Sequence, residues 1–165
     1  YVNPKSDNSD LVSVESATSF TFNVTYMMTD IWALELLAAY PFKHDIEFLD
    51  GTKIGSTKHL PPTLSLQYHF NPDSSFQPYV GLGLNYTNFF SEETTGPIEG
   101  TDLSLSDSWG LAGQIGFDYM MNDQWFFNAD VRYIGIDTNA TLDGESLGTV
   151  EIDPWVYGIN IGYRF

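Results

Sequence analysis

From Ser19 to Phe165 the chain repeats in twos. Phe20, Phe22, Val24, Tyr26 and Met28 alternate with Ser19, Thr21, Asn23, Thr25 and Met27. Trp32, Leu34, Leu36, Ala38 and Tyr40 alternate with Ala33, Glu35, Leu37 and Ala39. The same alternation returns at Thr63 to Phe70, Pro78 to Thr87, Trp109 to Tyr119 and Trp125 to Tyr133. It ends with Trp155, Tyr157, Ile159, Ile161, Tyr163 and Phe165 set against Gly158, Asn160, Gly162 and Arg164. A period of two over such lengths predicts strands with one apolar and one polar face. Seven strands are predicted in this way. Short turns follow the first, third and fifth; long acidic stretches, taken as loops, follow the second, fourth and sixth at Phe42–Thr57, Phe90–Asp107 and Asp137–Asp153. Tyr1 to Pro4 is read as the end of an eighth strand whose start is absent, and Lys5 to Thr18 as the loop after it.

The face that looks outward decides the class. A soluble ligand-binding barrel keeps its apolar residues inside. Here the polar face holds many glycines together with Glu35, Asp118, Asp130, Arg132 and Arg164, a set that fits the narrow interior of an eight-stranded barrel. Aromatic residues stand at both ends of the apolar face, and no charge falls on it. A Lys or Arg at the bilayer midplane would cost about 2–4 kcal/mol. The expectation is an all-β, eight-stranded antiparallel transmembrane barrel, a single domain over residues 1–165 with most of its first strand missing. Alternating short turns and long loops give the orientation: Phe165 ends on the periplasmic side, and Tyr40, Tyr86, Trp109, Tyr133 and Trp155 form the external girdle.

Composition agrees. No apolar run is long enough for a transmembrane helix. The chain has 6 basic and 22 acidic residues, a net charge of −16, which argues against nucleic-acid partners. There is no cysteine, so disulfide and thiolate metal chemistry is excluded.

His59-Leu60-Pro61-Pro62-Thr63-Leu64 resembles a signature of the OmpW family of small outer-membrane barrels. Glu35-Leu36-Leu37-Ala38-Ala39, Pro78-Tyr79-Val80-Gly81, Asp107-Ser108-Trp109-Gly110, Asp153-Pro154-Trp155 and Gly162-Tyr163-Arg164-Phe165 follow in the family's order. Asp130-Val131-Arg132-Tyr133-Ile134 is similar to the family's alkane-import relatives. The resemblance implies a narrow hydrophobic channel in the outer membrane of a Gram-negative bacterium. Small hydrophobic molecules would enter it from outside and leave sideways into the lipid. Ending on Phe165 resembles the C-terminal signal read by the outer-membrane assembly machinery.

Several residues are candidates for that function. Leu37, Leu60, Phe89, Ile134 and Ile136 would line an external apolar pocket, with water excluded at the level of Leu37; Met27 and Phe126 read as ordinary barrel filling. Pro61 and Pro62 cannot donate to a strand ladder, so they mark either a lateral gap or simply the start of a strand. Glu35, Asp118, Asp130, Arg132 and Arg164 should pair across the lumen, because buried charges need partners. His44, His59 and His69 lack metal spacing and read as surface or interface residues. The acidic loops are either a solvated surface or bind lipopolysaccharide through divalent ions. No cofactor or enzymatic activity is expected. The alternative to transport is a filled structural barrel whose external loops act as a receptor or adhesion surface.

Overall fold

The computed structural model describes residues 2–3, 12–14, 18–40, 42–48, 53–60, 62–94, 100–151 and 153–165. Its strands are β1 (Val2–Asn3), β2 (Val12–Val14), β3 (Thr21–Met27), β4 (Trp32–Ala39), β5 (Phe42–Phe48), β6 (Lys53–Leu60) and β7 (Thr63–His69). They continue as β8 (Phe76–Thr94), β9 (Leu103–Leu105), β10 (Ser108–Met120), β11 (Trp125–Ile134), β12 (Asp137–Leu142), β13 (Glu145–Glu151) and β14 (Trp155–Tyr163).

The barrel wall runs β3-β4-β7-β8-β10-β11-β14-β1, every neighbour antiparallel. The two-residue β1 pairs with the last long strand, Val2 opposite Val156 and Asn3 opposite Trp155. Further along β14, Thr21 Oγ1 donates to Asn160 Oδ1 at 3.5 Å, linking β3 to β14 through side chains.

The barrel is inside-out relative to a soluble fold. Phe22, Leu82, Leu84, Leu111, Ile115 and Ile159 are exposed on the outer surface, whereas Gln67, Asn85, Thr87, Asn128 and Arg132 are buried inside. Lipid is the solvent that makes this stable, because strand pairing around the wall leaves few backbone groups to desolvate. The two aromatic belts are packed. Tyr86 lies 4.9 Å from Trp109, and Tyr133 5.3 Å from Trp155, at the external end. Trp32 with Tyr68 and Trp125 with Tyr163, each at 5.1 Å, stand at the other end.

The three stretches read as long loops carry strands. Residues 42–60 hold β5 and β6, paired through Phe42↔His59 to Glu47↔Lys53. β6 joins the upper part of the 19-residue β8. Residues 137–151 form a hairpin of β12 and β13 closed by Asp143 and Gly144, both at positive φ, and β9 adds to its edge. Asp-Gly is a favoured pair for such a two-residue turn. Hydrophobic alternation reports one buried or lipid-facing side; strands outside the bilayer need no apolar face, so their sequence stays polar.

Candidate functional site

The lumen has two levels, one polar and one apolar. Inward-facing positions of β4 and β11 bring Glu35 and Arg132 together, Nη1 donating to Oε1 at 2.8 Å. Arg132 Nε donates to Asp130 Oδ1 at 2.7 Å. Asn160 Nδ2 donates to Asp130 Oδ2 at 3.3 Å and to Asn128 Oδ1 at 2.9 Å. Asn128 in turn donates to Asp118 Oδ1 at 2.8 Å and to the Tyr79 hydroxyl at 3.0 Å. The Tyr79 ring occupies the space above Gly116, where a Cβ would stand 2.5 Å from the hydroxyl oxygen. These contacts join five strands, β4, β8, β10, β11 and β14, into a polar plug.

The five charged residues expected to pair are brought together only in part. Glu35, Asp130 and Arg132 form one ionic group. Asp118 is held by Asn128 instead, and Arg164, exposed at the end of the chain, donates to Gln77 Oε1 at 3.2 Å. The reason is distance along the strands: Asp118 and Arg164 sit near the turns, beyond the reach of the central arginine. His69 is a correction. The last residue of β7 points inward, so His69 is buried, 4.9 Å from the Tyr79 ring in a stacked arrangement, and hydrogen-bonded to Gln67 Oε1 at 3.0 Å. It is not a surface residue. The side chains of His44 and His59 lie outside the described residues.

On the external side of the plug, Phe89, Ala112, Ile134, Ile136 and Val156 form a buried apolar cluster, with Ala39 and Leu105 packed against it. Three of the predicted pocket residues, Phe89, Ile134 and Ile136, are therefore in one place. Asp153 fixes the end of β11 there: its carboxylate accepts from the Ile136 amide at 3.0 Å and from the Tyr133 hydroxyl at 2.8 Å. Leu37 is buried on β4 opposite Asn23 and Thr63, apart from this cluster. The Leu60 side chain lies outside the described residues; its backbone pairs with Asn88, next to Phe89. Met27 and Phe126 are half-buried and inward, Phe126 lying directly over Gly162.

Pro61 lies outside the described residues. The Pro62 carbonyl is paired, accepting from the Tyr86 amide at 3.0 Å and from Asn85 Nδ2 at 3.3 Å. The wall changes here nonetheless. The β4–β7 ladder ends at Leu37↔Thr63, and the next described pair on that seam is Phe42↔His59, between β5 and β6. Among the described residues Ala38, Ala39 and Tyr40 have no ladder pair with Leu60 or Pro62.

Sequence reasoning passed over Tyr79, Asn128, Ala112 and Gln114. Parity along the strands would have placed all four inside. Val156 is the one large apolar residue among the even positions of the last strand. Phe165 is fully exposed.

The sequence profile of the OmpW family matches residues 3–165. The chain is 50% identical to outer membrane protein W of Vibrio cholerae, over 93% of this chain and 76% of that one. It is 30% identical to outer membrane protein AlkL of Ectopseudomonas oleovorans, over 93% and 69%. The crystal structure of the outer membrane protein OprG from Pseudomonas aeruginosa superimposes with a TM-score of 0.82 at 41% identity, covering all of this chain and 88% of that one.

Proposed function

The chain belongs to the OmpW family of Gram-negative outer-membrane β-barrels, and we propose that it gives small hydrophobic molecules a passive route across that membrane. The observation that carries the proposal is the cluster of Phe89, Ala112, Ile134, Ile136 and Val156, set inside the barrel on the external side of the buried Glu35–Arg132–Asp130 group. An apolar molecule arriving from outside finds there a surface that water solvates poorly. It cannot continue along the axis, because crossing the plug would mean displacing the Glu35–Arg132–Asp130 group, whose charges are costly to leave unpaired. The way out is then sideways. The stretch between the pairs Leu37↔Thr63 and Phe42↔His59 supports that path, because Pro61 and Pro62, which fall in it, have no backbone N–H to give to a ladder.

In this reading residues 1–165 act as one domain and catalyse no reaction. Lipopolysaccharide surrounds the external strands, and the exposed Phe165 is the residue offered to the assembly machinery.

The test is uptake of an apolar fluorescent dye by cells whose lipopolysaccharide leaflet is the main barrier to it. Cells making this protein should fill faster than cells without it, and Ala112→Trp, which blocks the pocket, should remove the gain. Equal rates in all three would reject the proposal.

A second reading has its own support. β2, β5 and β6 extend the barrel sheet beyond the girdle, and β9, β12 and β13 form a separate sheet. Such an ordered rim suits a receptor or adhesion surface. That reading predicts that deleting the β12–β13 hairpin abolishes attachment of a partner while Ala112→Trp leaves it intact.

A further inference from the structure

The row of residues where the apolar cluster meets the plug is incompletely satisfied. Gln114 on β10 stands opposite Gly81 on β8 and opposite Arg132 on β11, and Arg132 stands opposite Val156 on β14. Two residues along the same strands are Ala112 and Ile134, which belong to the apolar cluster with Val156. The polar atoms of this row therefore lie directly beneath the apolar cluster and would form the floor of the pocket on the uptake reading.

Gln114 is 5% exposed and lies across Gly81, where a Cβ would stand 2.7 Å from its Cγ and its Nε2. Neither Oε1 nor Nε2 has a hydrogen-bond partner among the described residues. Arg132, 2% exposed, gives Nε to Asp130 and Nη1 to Glu35, while its Nη2 has no partner among the described residues. Buried polar groups are seldom left unmet, since each costs about 1–3 kcal/mol. The floor thus offers two donors, Gln114 Nε2 and Arg132 Nη2, and one acceptor, Gln114 Oε1.

We infer that this floor is a head-group site, and that the preferred passengers are uncharged amphiphiles: an apolar body ending in a hydroxyl. The inference rests on the uptake reading and names its substrate class. A hydroxyl accepts from the amide or guanidinium and donates to Gln114 Oε1 at once, as no hydrocarbon can. A carboxylate can accept but not donate, and it would join a group in which one cation already faces two carboxylates. Charge therefore selects against anions of the same shape.

Three matched probes test this with the protein in lipid nanodiscs: toluene, benzyl alcohol and benzoate. Two NMR readouts are followed, the δ1 methyl groups of Ile134 and Ile136 and the side-chain amide of Gln114. Benzyl alcohol should shift both saturably and bind about tenfold more tightly than toluene, the equivalent of one net hydrogen bond. Benzoate should bind more weakly than benzyl alcohol. In Gln114→Leu the ratio of benzyl alcohol to toluene affinity should fall to about one. If that variant does not fold, the three probes on the unaltered protein still decide.

Methyl shifts with an unmoved Gln114 amide, equal affinities for toluene and benzyl alcohol, or tightest binding of benzoate would each overturn the inference and leave the uptake reading standing. So would a Gln114 amide that keeps its contact with bound water when benzyl alcohol saturates the methyl groups. If no probe shifts the Ile134 and Ile136 methyls, the pocket is not a binding site and both readings fall.

Discussion

Arg132 and Glu35 meet through a 2.8 Å ion pair although 97 residues separate them in the chain. The contact ties β11 to β4 across the lumen, and both side chains are almost wholly buried. Removing one member leaves the other charge in a poor solvent. Arg132→Met should therefore destabilise the barrel by about 3–5 kcal/mol. Adding Glu35→Gln and Asp130→Asn to it should recover most of that loss. Urea unfolding in lipid vesicles, followed by tryptophan fluorescence, measures both. A single variant as stable as the parent would show that the pair contributes little.

The plug also depends on a missing side chain. Tyr79 packs over Gly116, and a Cβ at that position would approach the ring, the hydroxyl and the carbonyl of Ala129, all within 2.9 Å. The backbone carbonyl cannot swing aside as a flexible side chain could. Gly116→Ala is expected to cost about 1–3 kcal/mol through overpacking. The same unfolding measurement checks it, and a neutral result would mean that Tyr79 is free to move.

At the external rim the Tyr86 hydroxyl donates to Asp107 Oδ2 at 2.6 Å and Asn88 Nδ2 to Oδ1 at 2.7 Å. These donors, Tyr86 first, hold the Asp107 carboxyl below its usual range. A carboxyl lowered on folding contributes stability above its unfolded value, and that contribution is lost as the pH falls through the folded value. Tyr86→Phe should move the Asp107 titration upward, as read by carboxyl-carbon NMR. An unchanged midpoint would remove the hydroxyl as its cause.

The seam beside Pro62 gives a prediction about transport. Replacing Pro61 and Pro62 by alanine restores two backbone donors in the proposed exit, between the pairs Leu37↔Thr63 and Phe42↔His59. Pairing across the seam should slow dye uptake several-fold without lowering dye binding in the pocket. Undiminished uptake would place the exit elsewhere.

An axial polar plug also predicts electrical behaviour. In planar bilayers the protein should show only small, brief ion conductances, because the Glu35–Arg132–Asp130 group and the Tyr79 ring fill the cross-section. A large stable current would contradict that filling.

The barrel wall was legible because lipid imposes a period of two: Trp155 to Phe165 announces its outward and inward faces residue by residue. β5, β6, β12 and β13 were not legible, because water on both sides leaves no such pattern. In the lumen, parity told which residues face inward but not how far each one reaches. Glu35 and Arg132 meet because opposite walls of a small barrel lie within one arginine's length, while Arg164, also inward by parity, hydrogen-bonds Gln77 near the turns. His69 misled for a related reason: its place beside a turn suggested exposure, yet its direction followed the strand.

The length of β8 carries a last consequence. Its 19 residues make about 60 Å of strand at roughly 3.3 Å each, and a tilted crossing uses only about 9–11 of them. One continuous strand thus both anchors the protein and builds the rim; its ladders with β7 and β10 run in unbroken register, and its ladder with β6 shifts register once, between Ser56↔Glu93 and Lys58↔Phe90. The rim cannot rise or sink independently of the anchor. Bilayer thickness becomes a control on the protein: a membrane a few ångströms thicker would bring its hydrocarbon up toward the Tyr86–Trp109 belt, and a thinner one would leave more of β8 standing in the sugar layer.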